Sequence, residues 1–301
     1  MQNKKYTLGA WAAFLAGLTF GINSIVVKSA NNVGLHTFEL LAYQMIIPLI
    51  YFAIRSIIKK DNQVDTNKKS IVKNIYNWIA GISVVMTSLF YYIAIQEMDP
   101  SLASIGLFQY PWLFILFGYL IYGFKIRKIQ LIAIFILWVG SMLLVSASLQ
   151  EITFLGSLTG ILAGISFAAY LFSLRYVSHH KYTKPFVFLI ATMIALLIII
   201  FNRSSINILS LEALLFGMIT ATLGQIITFE LLSFAAKNSR PVIMAALTTV
   251  ELPVAMVVTW IIWGPFPSLI KYIGLIIMVV SVIWLKLDEK APKKAKLKKA
   301  I

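Results

Sequence analysis

The sequence predicts an all-α integral membrane protein in which ten transmembrane helices form two inverted five-helix repeats. Three observations predict this fold. First, 60% of the 301 residues are hydrophobic and only 12% are charged, whereas soluble domains contain about 25% charged residues. Second, apolar runs long enough to span a bilayer follow one another along the chain. Third, small residues and prolines recur at corresponding positions in the two halves.

Ten apolar runs are expected to cross the bilayer, since about 20 helical residues match the thickness of its hydrocarbon core. The first run is too long for the apolar core of a signal peptide and has no evident cleavage site. The seventh run is the shortest. The runs lie at residues 8–27, 37–58, 74–96, 101–123, 129–148, 155–177, 186–201, 211–236, 242–263 and 268–285.

The distribution of basic residues predicts the orientation of these runs. Of the 26 Lys and Arg residues, all but Lys28, Arg203 and Lys271 lie at the N-terminus, in every second loop or in the C-terminal tail. Short loops rich in Lys and Arg stay in the cytoplasm. We therefore expect a multi-pass protein of the cell membrane (plasma or inner membrane) with both termini cytoplasmic.

Small residues at every fourth position mark the first and sixth runs. Their spacing places one smooth stripe on each helix, where another backbone can approach closely. Because each half contains an odd number of spans, the second half must enter the membrane in the opposite orientation, as in the inverted repeats of many transporters. The stripes consist of Gly9, Ala13, Gly17 and Gly21, and of Gly156, Gly160, Gly164 and Ala168, at a constant offset of 147 residues.

Prolines interrupt the fourth and ninth runs. Pro111 and Pro253 are each followed by about ten mostly apolar residues and a glycine. A proline inside a helix leaves a carbonyl without its donor one turn earlier, so we expect a helix break at both positions.

With these features the sequence resembles the drug/metabolite transporter superfamily, in its EamA family. The resemblance extends over residues 6–287 and rests on the whole pattern of spans, repeats and prolines. Many members carry a glutamate after the glycine that closes spans four and nine. Phe124 and Pro265 occupy those positions here, so no role is assigned to that glutamate.

The resemblance implies a secondary active transporter that moves a small metabolite by alternating access. We expect an amino acid or a related amphiphile, moved by export, with spans one to four and six to nine around the cavity and spans five and ten peripheral. The predicted units are residues 1–150 and 151–287, one EamA-like repeat each, and a basic cytoplasmic tail at 288–301. A multidrug or cation exporter is the nearest alternative, and a polytopic membrane enzyme or scaffold is the alternative from another class.

Glu251 is the strongest candidate for substrate binding and proton coupling. It lies ten residues into the ninth run, near the midplane, and Gln109 is its counterpart in the fourth run. Each precedes a proline by two residues. A carboxylate in hydrocarbon is costly, so an acid at this depth is a functional candidate. The alternative is a protonated glutamate that is hydrogen-bonded between helices.

Further candidates are polar or aromatic residues on runs predicted to line the cavity. Aromatic faces can hold planar or cationic substrates, although lipid-facing positions are the alternative. Glu230, below Gln225 in the eighth run, is a second coupling candidate unless its side chain extends to the membrane surface. The remaining substrate-binding candidates are Gln109, Gln225, Asn23, Tyr91, Tyr92, Tyr110, Trp112, Phe167 and Tyr170.

The sequence lacks three common motifs of nucleotide-binding and hydrolytic enzymes. It lacks a Walker loop, H-E-x-x-H and G-x-S-x-G, so we expect neither ATP hydrolysis nor any other catalytic activity. We predict no cofactor and no metal site. The expected partners are a small-molecule substrate, the lipid bilayer and a second copy of the chain in a homodimer, and no nucleic acid.

Overall fold

A computed structural model describes residues 2–58, 69–98, 100–123, 127–145, 152–177, 180–201, 210–264 and 268–287. Over these ranges all regular secondary structure is helical. The predicted basic tail at 288–301 and the predicted boundary between repeats at 150 lie outside the described residues. The family-divergent positions Phe124 and Pro265 also lie outside them.

The helices follow the predicted apolar runs. A π-helical segment, Ala221–Ile227, joins α10 to α11. The helices are α1 (Gln2–Asn32), α2 (Thr37–Ile58), α3 (Lys69–Lys73), α4 (Ile75–Glu97), α5 (Pro100–Leu107), α6 (Tyr110–Tyr122), α7 (Lys128–Val145), α8 (Phe154–Leu174), α9 (Thr183–Phe201), α10 (Leu211–Thr220), α11 (Thr228–Asn238), α12 (Pro241–Thr248), α13 (Glu251–Trp263) and α14 (Leu269–Leu287).

Within the described ranges, eight helical segments are long and apolar enough to cross a bilayer. They correspond to predicted spans one to four and six to nine. Two shorter apolar helical stretches, Lys128–Leu143 and Leu269–Trp284, lie at predicted spans five and ten. Large apolar side chains such as Phe154 and Phe201 are exposed on the outside of the bundle, as lipid-facing residues are. The chain is a multi-pass helical membrane protein.

Two helices begin three or more residues earlier than the apolar pattern predicts. The first run was expected at 8–27, but α1 extends from Gln2 to Asn32, because helical hydrogen bonding continues past the hydrocarbon core. The seventh run was expected to begin at 186, but α9 begins at Thr183. Pro185 lies in its first turn, where a missing N–H costs nothing.

Spans four and nine are each built from two half-helices. Phe108 and Gln109 separate α5 from α6, and Thr249 and Val250 separate α12 from α13. Pro111 is the second residue of α6 and Pro253 is the third residue of α13. A proline cannot donate to the carbonyl four residues earlier, and that carbonyl belongs to Leu107, the last residue of α5, and to Thr249, the first residue after α12.

The small-residue stripes pack against these breaks. A Cβ atom at Gly17 in α1 would lie 2.6 Å from the Thr248 carbonyl oxygen, at the end of α12. A Cβ atom at Gly164 in α8 would lie 2.7 Å from the Gly106 carbonyl oxygen, near the end of α5. Only glycine therefore allows these backbones to meet at the observed separation.

Helices α7 and α14 form a separate pair beside this core. Gly140 of α7 faces Gly274 and Met278 of α14. The Ser281 hydroxyl of α14 donates a hydrogen bond of 2.5 Å to the Ala133 carbonyl oxygen of α7. The two shorter apolar helices thus pair with each other.

Candidate functional site

A small cavity lies at the centre of the bundle, beside the break between α12 and α13. Its volume of about 30 Å³ provides room for one or two water molecules. Side chains from α1, α2, α4, α5, α8 and α13 line it. They are Phe20, Asn23, Gln44, Thr87, Ser88, Tyr91, Tyr92, Leu107, Phe167 and Glu251.

Glu251 is the only charged side chain among the described residues that line this cavity. It is the first residue of α13 and is 2% exposed. Glu251 therefore lies at the N-terminus of α13, at the positive end of the helix dipole. The described residues provide no basic side chain in the cavity to pair with its carboxylate.

Three further polar groups in the cavity wall have unmet hydrogen-bonding capacity. Asn23 Oδ1, Gln44 Oε1 and the Tyr92 hydroxyl are buried and have no hydrogen-bond partner among the described residues. The two amide side chains lie next to the Tyr92 hydroxyl. A buried polar group without a partner is costly, so these three groups are suited to a ligand or water in the cavity.

The π-helical segment forms the wall behind these amides. A Cβ atom at Gly224 would lie 2.8 Å from Gln44 Nε2 and 2.9 Å from Asn23 Nδ2. Gln225, the next residue, donates a hydrogen bond of 3.2 Å through Nε2 to the Ser88 hydroxyl. The π-helical turn thus positions a glycine against the amides and Gln225 behind the cavity wall. Segments of this kind are frequent at functional sites.

Aromatic rings close the cavity on the side of α6 and α8. The Phe167 ring contacts Tyr110 edge-to-face, with centroids 4.7 Å apart, and Phe20 at 5.3 Å. The Tyr110 hydroxyl lies 2.7 Å from the Thr248 hydroxyl and donates to the Ala245 carbonyl oxygen at 3.2 Å. Tyr110 therefore connects the two broken spans instead of lining the cavity.

Three of the aromatic and polar candidates lie away from the cavity. Tyr170 stacks on Phe167 and contacts Phe229 behind it. Trp112 is 44% exposed and donates through Nε1 to Gln109 Oε1 at 2.8 Å. Gln109 itself donates through Nε2 to the Ile105 carbonyl oxygen. The cavity is thus asymmetric, with Glu251 on one side and no counterpart from Gln109 on the other.

Glu230 lies outside the cavity, at the end of the bundle where α1 begins. Its Oε1 atom forms ion pairs of 2.6 Å with both Arg55 of α2 and Lys184 of α9. All three side chains are about a third to a half exposed. Glu230 therefore ties α11 to two neighbouring helices through a partly solvated charge cluster.

Sequence reasoning missed five of the cavity residues: Phe20, Gln44, Thr87, Ser88 and Leu107. Gln44 carried a usable signal, because an amide in the middle of an apolar run is as unusual as the carboxylate of Glu251. Serine and threonine carry no such signal. Their hydroxyls can donate to the carbonyl one turn earlier, as Thr87 does to Ser83, and they are tolerated anywhere in a membrane helix.

A comparison with known protein families finds a match for this chain. The model of the EamA-like transporter family matches residues 7–146. The first half of this chain belongs to the EamA-like transporter family. This confirms the family predicted from the repeats and prolines. The match indicates a membrane transporter of the drug/metabolite type.

A solved protein structure shares the fold of this chain over nearly the whole length of the chain. That crystal structure superposes with a TM-score of 0.74 and is 16% identical, covering 94% of this chain and 97% of its own. At this identity the similarity establishes the fold alone. A search among curated protein sequences finds no significant match.

Proposed function

We propose that this chain is a secondary active transporter in which two inverted five-helix repeats enclose a central substrate site. The observation that carries the proposal is a reciprocal packing. The glycine stripe of α1 meets the break in span nine, and the glycine stripe of α8 meets the break in span four. Each half thus provides the broken span on which the first helix of the other half rests, as a pseudo-twofold relation requires.

The cavity between these contacts supports transport by alternating access. At about 30 Å³ it is too small for a metabolite, so a substrate requires the helices to separate. The broken spans provide the hinges, since half-helices such as α5 and α6 can pivot at their junction. The glycine surfaces provide smooth faces over which α1 and α8 can shift. Alternate opening at the two ends would expose one site to each side in turn.

The charge of the cavity favours particular substrates. Glu251 can pair with an ammonium group, whereas a phosphate or dicarboxylate would meet no basic side chain among the described cavity residues. The rings of Phe20 and Phe167 offer apolar faces to the rest of the molecule. We therefore propose a cation, a zwitterion such as an amino acid, or a related amphiphile as the substrate, with export as the direction. Glu251 is the proposed coupling group.

The proposed orientation places both termini in the cytoplasm of a cell-membrane protein. It rests on the distribution of Lys and Arg along the sequence. In this orientation the Arg55–Glu230–Lys184 cluster lies at the cytoplasmic end, and α14 leads into the basic tail. The two repeats, residues 1–150 and 151–287, would then cross the membrane with opposite polarity.

A ligand screen followed by transport tests the proposal. The purified chain is screened by thermal unfolding against amino acids, organic cations, sugars, dicarboxylates and sugar phosphates. A bound ligand present at a hundred times its Kd stabilises a protein by about 2.7 kcal/mol. Ligands that stabilise the chain are then tested for counterflow in proteoliposomes. Stabilisation and counterflow by cations or zwitterions support the proposal, whereas binding without counterflow by any ligand contradicts it.

A further inference from the structure

Four buried side chains that carry oxygen atoms line the cavity, whereas a coupling proton would need only one of them. Glu251, Asn23, Gln44 and Tyr92 all line it, and each is at least 95% buried. Asn23 Oδ1, Gln44 Oε1 and the Tyr92 hydroxyl have no hydrogen-bond partner in the described part of the chain.

We propose that this cavity binds one dehydrated monovalent cation, Na⁺, held by the Glu251 carboxylate, Asn23 Oδ1, Gln44 Oε1 and the Tyr92 hydroxyl oxygen. The inference deepens the proposed function, because it names the ion that couples transport at Glu251, and it rests on that function for the coupling. The binding of Na⁺ itself does not depend on it.

Charge and ligand chemistry support a hard cation. A buried carboxylate needs a counter-charge or a proton, and the described cavity residues include no basic side chain. Carboxylate, amide and hydroxyl oxygens are the ligands that hard cations prefer. Among the described residues no group of three or more His, Cys, Asp or Glu could hold a metal ion. The site therefore fits a singly charged ion that one carboxylate neutralises.

The size and position of the cavity distinguish a free ion from the ammonium group of a substrate. A volume of about 30 Å³ holds a dehydrated ion, but an amino acid would bring its α-carbon and carboxylate with the ammonium group. The cavity also adjoins the interruption of span nine at Thr249 and Val250. Interrupted helices in transporters provide coordination sites for Na⁺ and protons.

The wall of the site is closely packed on the side of the amides. Gly224 leaves no space behind Asn23 and Gln44, since a Cβ atom there would lie within 2.9 Å of both amide nitrogens. Ser88, the neighbouring wall residue, is held by the hydrogen bond from Gln225. A preformed group of oxygens reduces the ordering that an ion must impose on binding.

The test measures Na⁺ binding to the purified full-length chain without any substrate. Choline chloride is replaced stepwise by NaCl, KCl or methylammonium chloride at constant ionic strength. The readouts are Tm and the stoichiometry of bound radioactive sodium. We expect a saturable rise in Tm with Na⁺, little effect of K⁺ or choline, and about one ion bound per chain. Equal Tm values in Na⁺ and choline, or a rise with methylammonium alone, would overturn the proposal.

Two variants and a control assign the ion to this cavity. Gln44→Met retains the shape of the side chain and removes one oxygen, so Na⁺ affinity should fall about ten- to a hundred-fold. Asn23→Asp adds a second carboxylate, so the site should now bind Ca²⁺. Ser281→Ala removes a buried hydroxyl from the distant α7–α14 interface and should bind Na⁺ as the wild type does. Unchanged Na⁺ affinity in Gln44→Met, or no Ca²⁺ binding by Asn23→Asp, would refute the assignment.

Transport assays separate this inference from the proposed function. A chain that binds Na⁺ but shows no counterflow of any substrate refutes the proposed function and leaves the ion site intact. A chain whose substrate uptake is identical in Na⁺ and choline, and depends on the pH gradient alone, refutes Na⁺ coupling and leaves the transporter intact.

Discussion

Glu251 combines three properties that no other acidic residue in the described ranges shares. It is 2% exposed, it is the first residue of a half-helix, and it lines the central cavity. The described lining residues include no basic side chain, so the carboxylate has no counter-charge among them.

Substitution of Glu251 should reveal the charge of the substrate. Glu251→Gln retains the shape and removes the charge, so we expect a cationic ligand to bind about ten- to a hundred-fold more weakly and a neutral ligand to bind almost as before. Glu251→Lys should abolish binding of a cation. Thermal-unfolding titrations of the purified variants measure both effects. Tight binding of a phosphorylated metabolite to the wild-type chain would contradict this assignment.

Glu230 is expected to stabilise the bundle through its two ion pairs. Glu230→Gln removes the carboxylate that pairs with Arg55 and Lys184. Because all three side chains are partly exposed, the free energy of unfolding should fall by only about 1 kcal/mol, and the loss should shrink at high salt.

A matched control for Glu230 is Glu97→Gln, which alters an exposed acid at the end of α4 and should change Tm little. The measurement is Tm in detergent at low and high salt. If Glu230→Gln unfolds at the wild-type temperature at low salt, the ion pairs contribute nothing.

At the residue scale, sequence reasoning was most useful for polar groups in apolar runs. Asn23, Tyr91, Tyr92, Phe167 and Glu251 were selected from sequence and line one cavity. Gln109 was selected by its position before a proline, but its side chain bonds to its own helix and to Trp112. Sequence spacing locates a residue along a helix, whereas the direction of its side chain depends on packing that spacing does not contain.

At the element scale, the glycine stripes and the broken spans depend on each other. A break exposes carbonyl oxygens, and Gly17 and Gly164 lie directly on those of Thr248 and Gly106. The prolines predicted both interruptions. The π-helical segment in span eight was not anticipated, since Ala221–Ile227 contains no residue type that distinguishes a π-helix from an α-helix.

Substitution of the stripe glycines should destabilise the fold. In Gly17→Ala and Gly164→Ala the new methyl carbon would lie 2.6 to 2.7 Å from a backbone oxygen, so the helices must separate. We expect a loss of about 1–3 kcal/mol, as for overpacked cores, and a larger loss for leucine at either position. Gly264→Ala, where the nearest atom lies at 3.6 Å, is the control. Thermal unfolding in detergent measures the difference, and wild-type Tm values in both stripe variants would contradict the packing.

At the scale of the whole molecule, composition and hydropathy predicted the positions of the helices better than they predicted the roles of single residues. The hydrocarbon thickness fixes the length of each span, and the described helices follow the apolar runs within a few residues. Predicted spans five and ten are shorter helices, Lys128–Leu143 and Leu269–Trp284. The contact between each first helix and the other half's broken span could not be read from the sequence, because contacts between distant segments leave no local pattern.

The predicted orientation can be tested with reporters fused at single positions. Fusions at Asp61, Lys128 and the C-terminus should report a cytoplasmic location, and fusions at Asp99 and Gln150 an external one, because loops rich in Lys and Arg remain inside. Paired alkaline phosphatase and green fluorescent protein fusions give opposite signals for the two sides. A cytoplasmic signal at Gln150 would be incompatible with five spans in each half.

The reciprocal contact between the halves also imposes an order on biosynthesis. Helix α8 leaves the ribosome after its partner, the α5–α6 break, has been made, so its glycine face can dock at once. The stripe of α1 must wait for residues 248–254, the last of its contacts to be translated. At about 5–20 residues per second, that wait lasts roughly 10 to 50 s. During it, Gly17 and Gly21 face lipid or an insertion factor, and a chain truncated before span nine leaves them without a native partner.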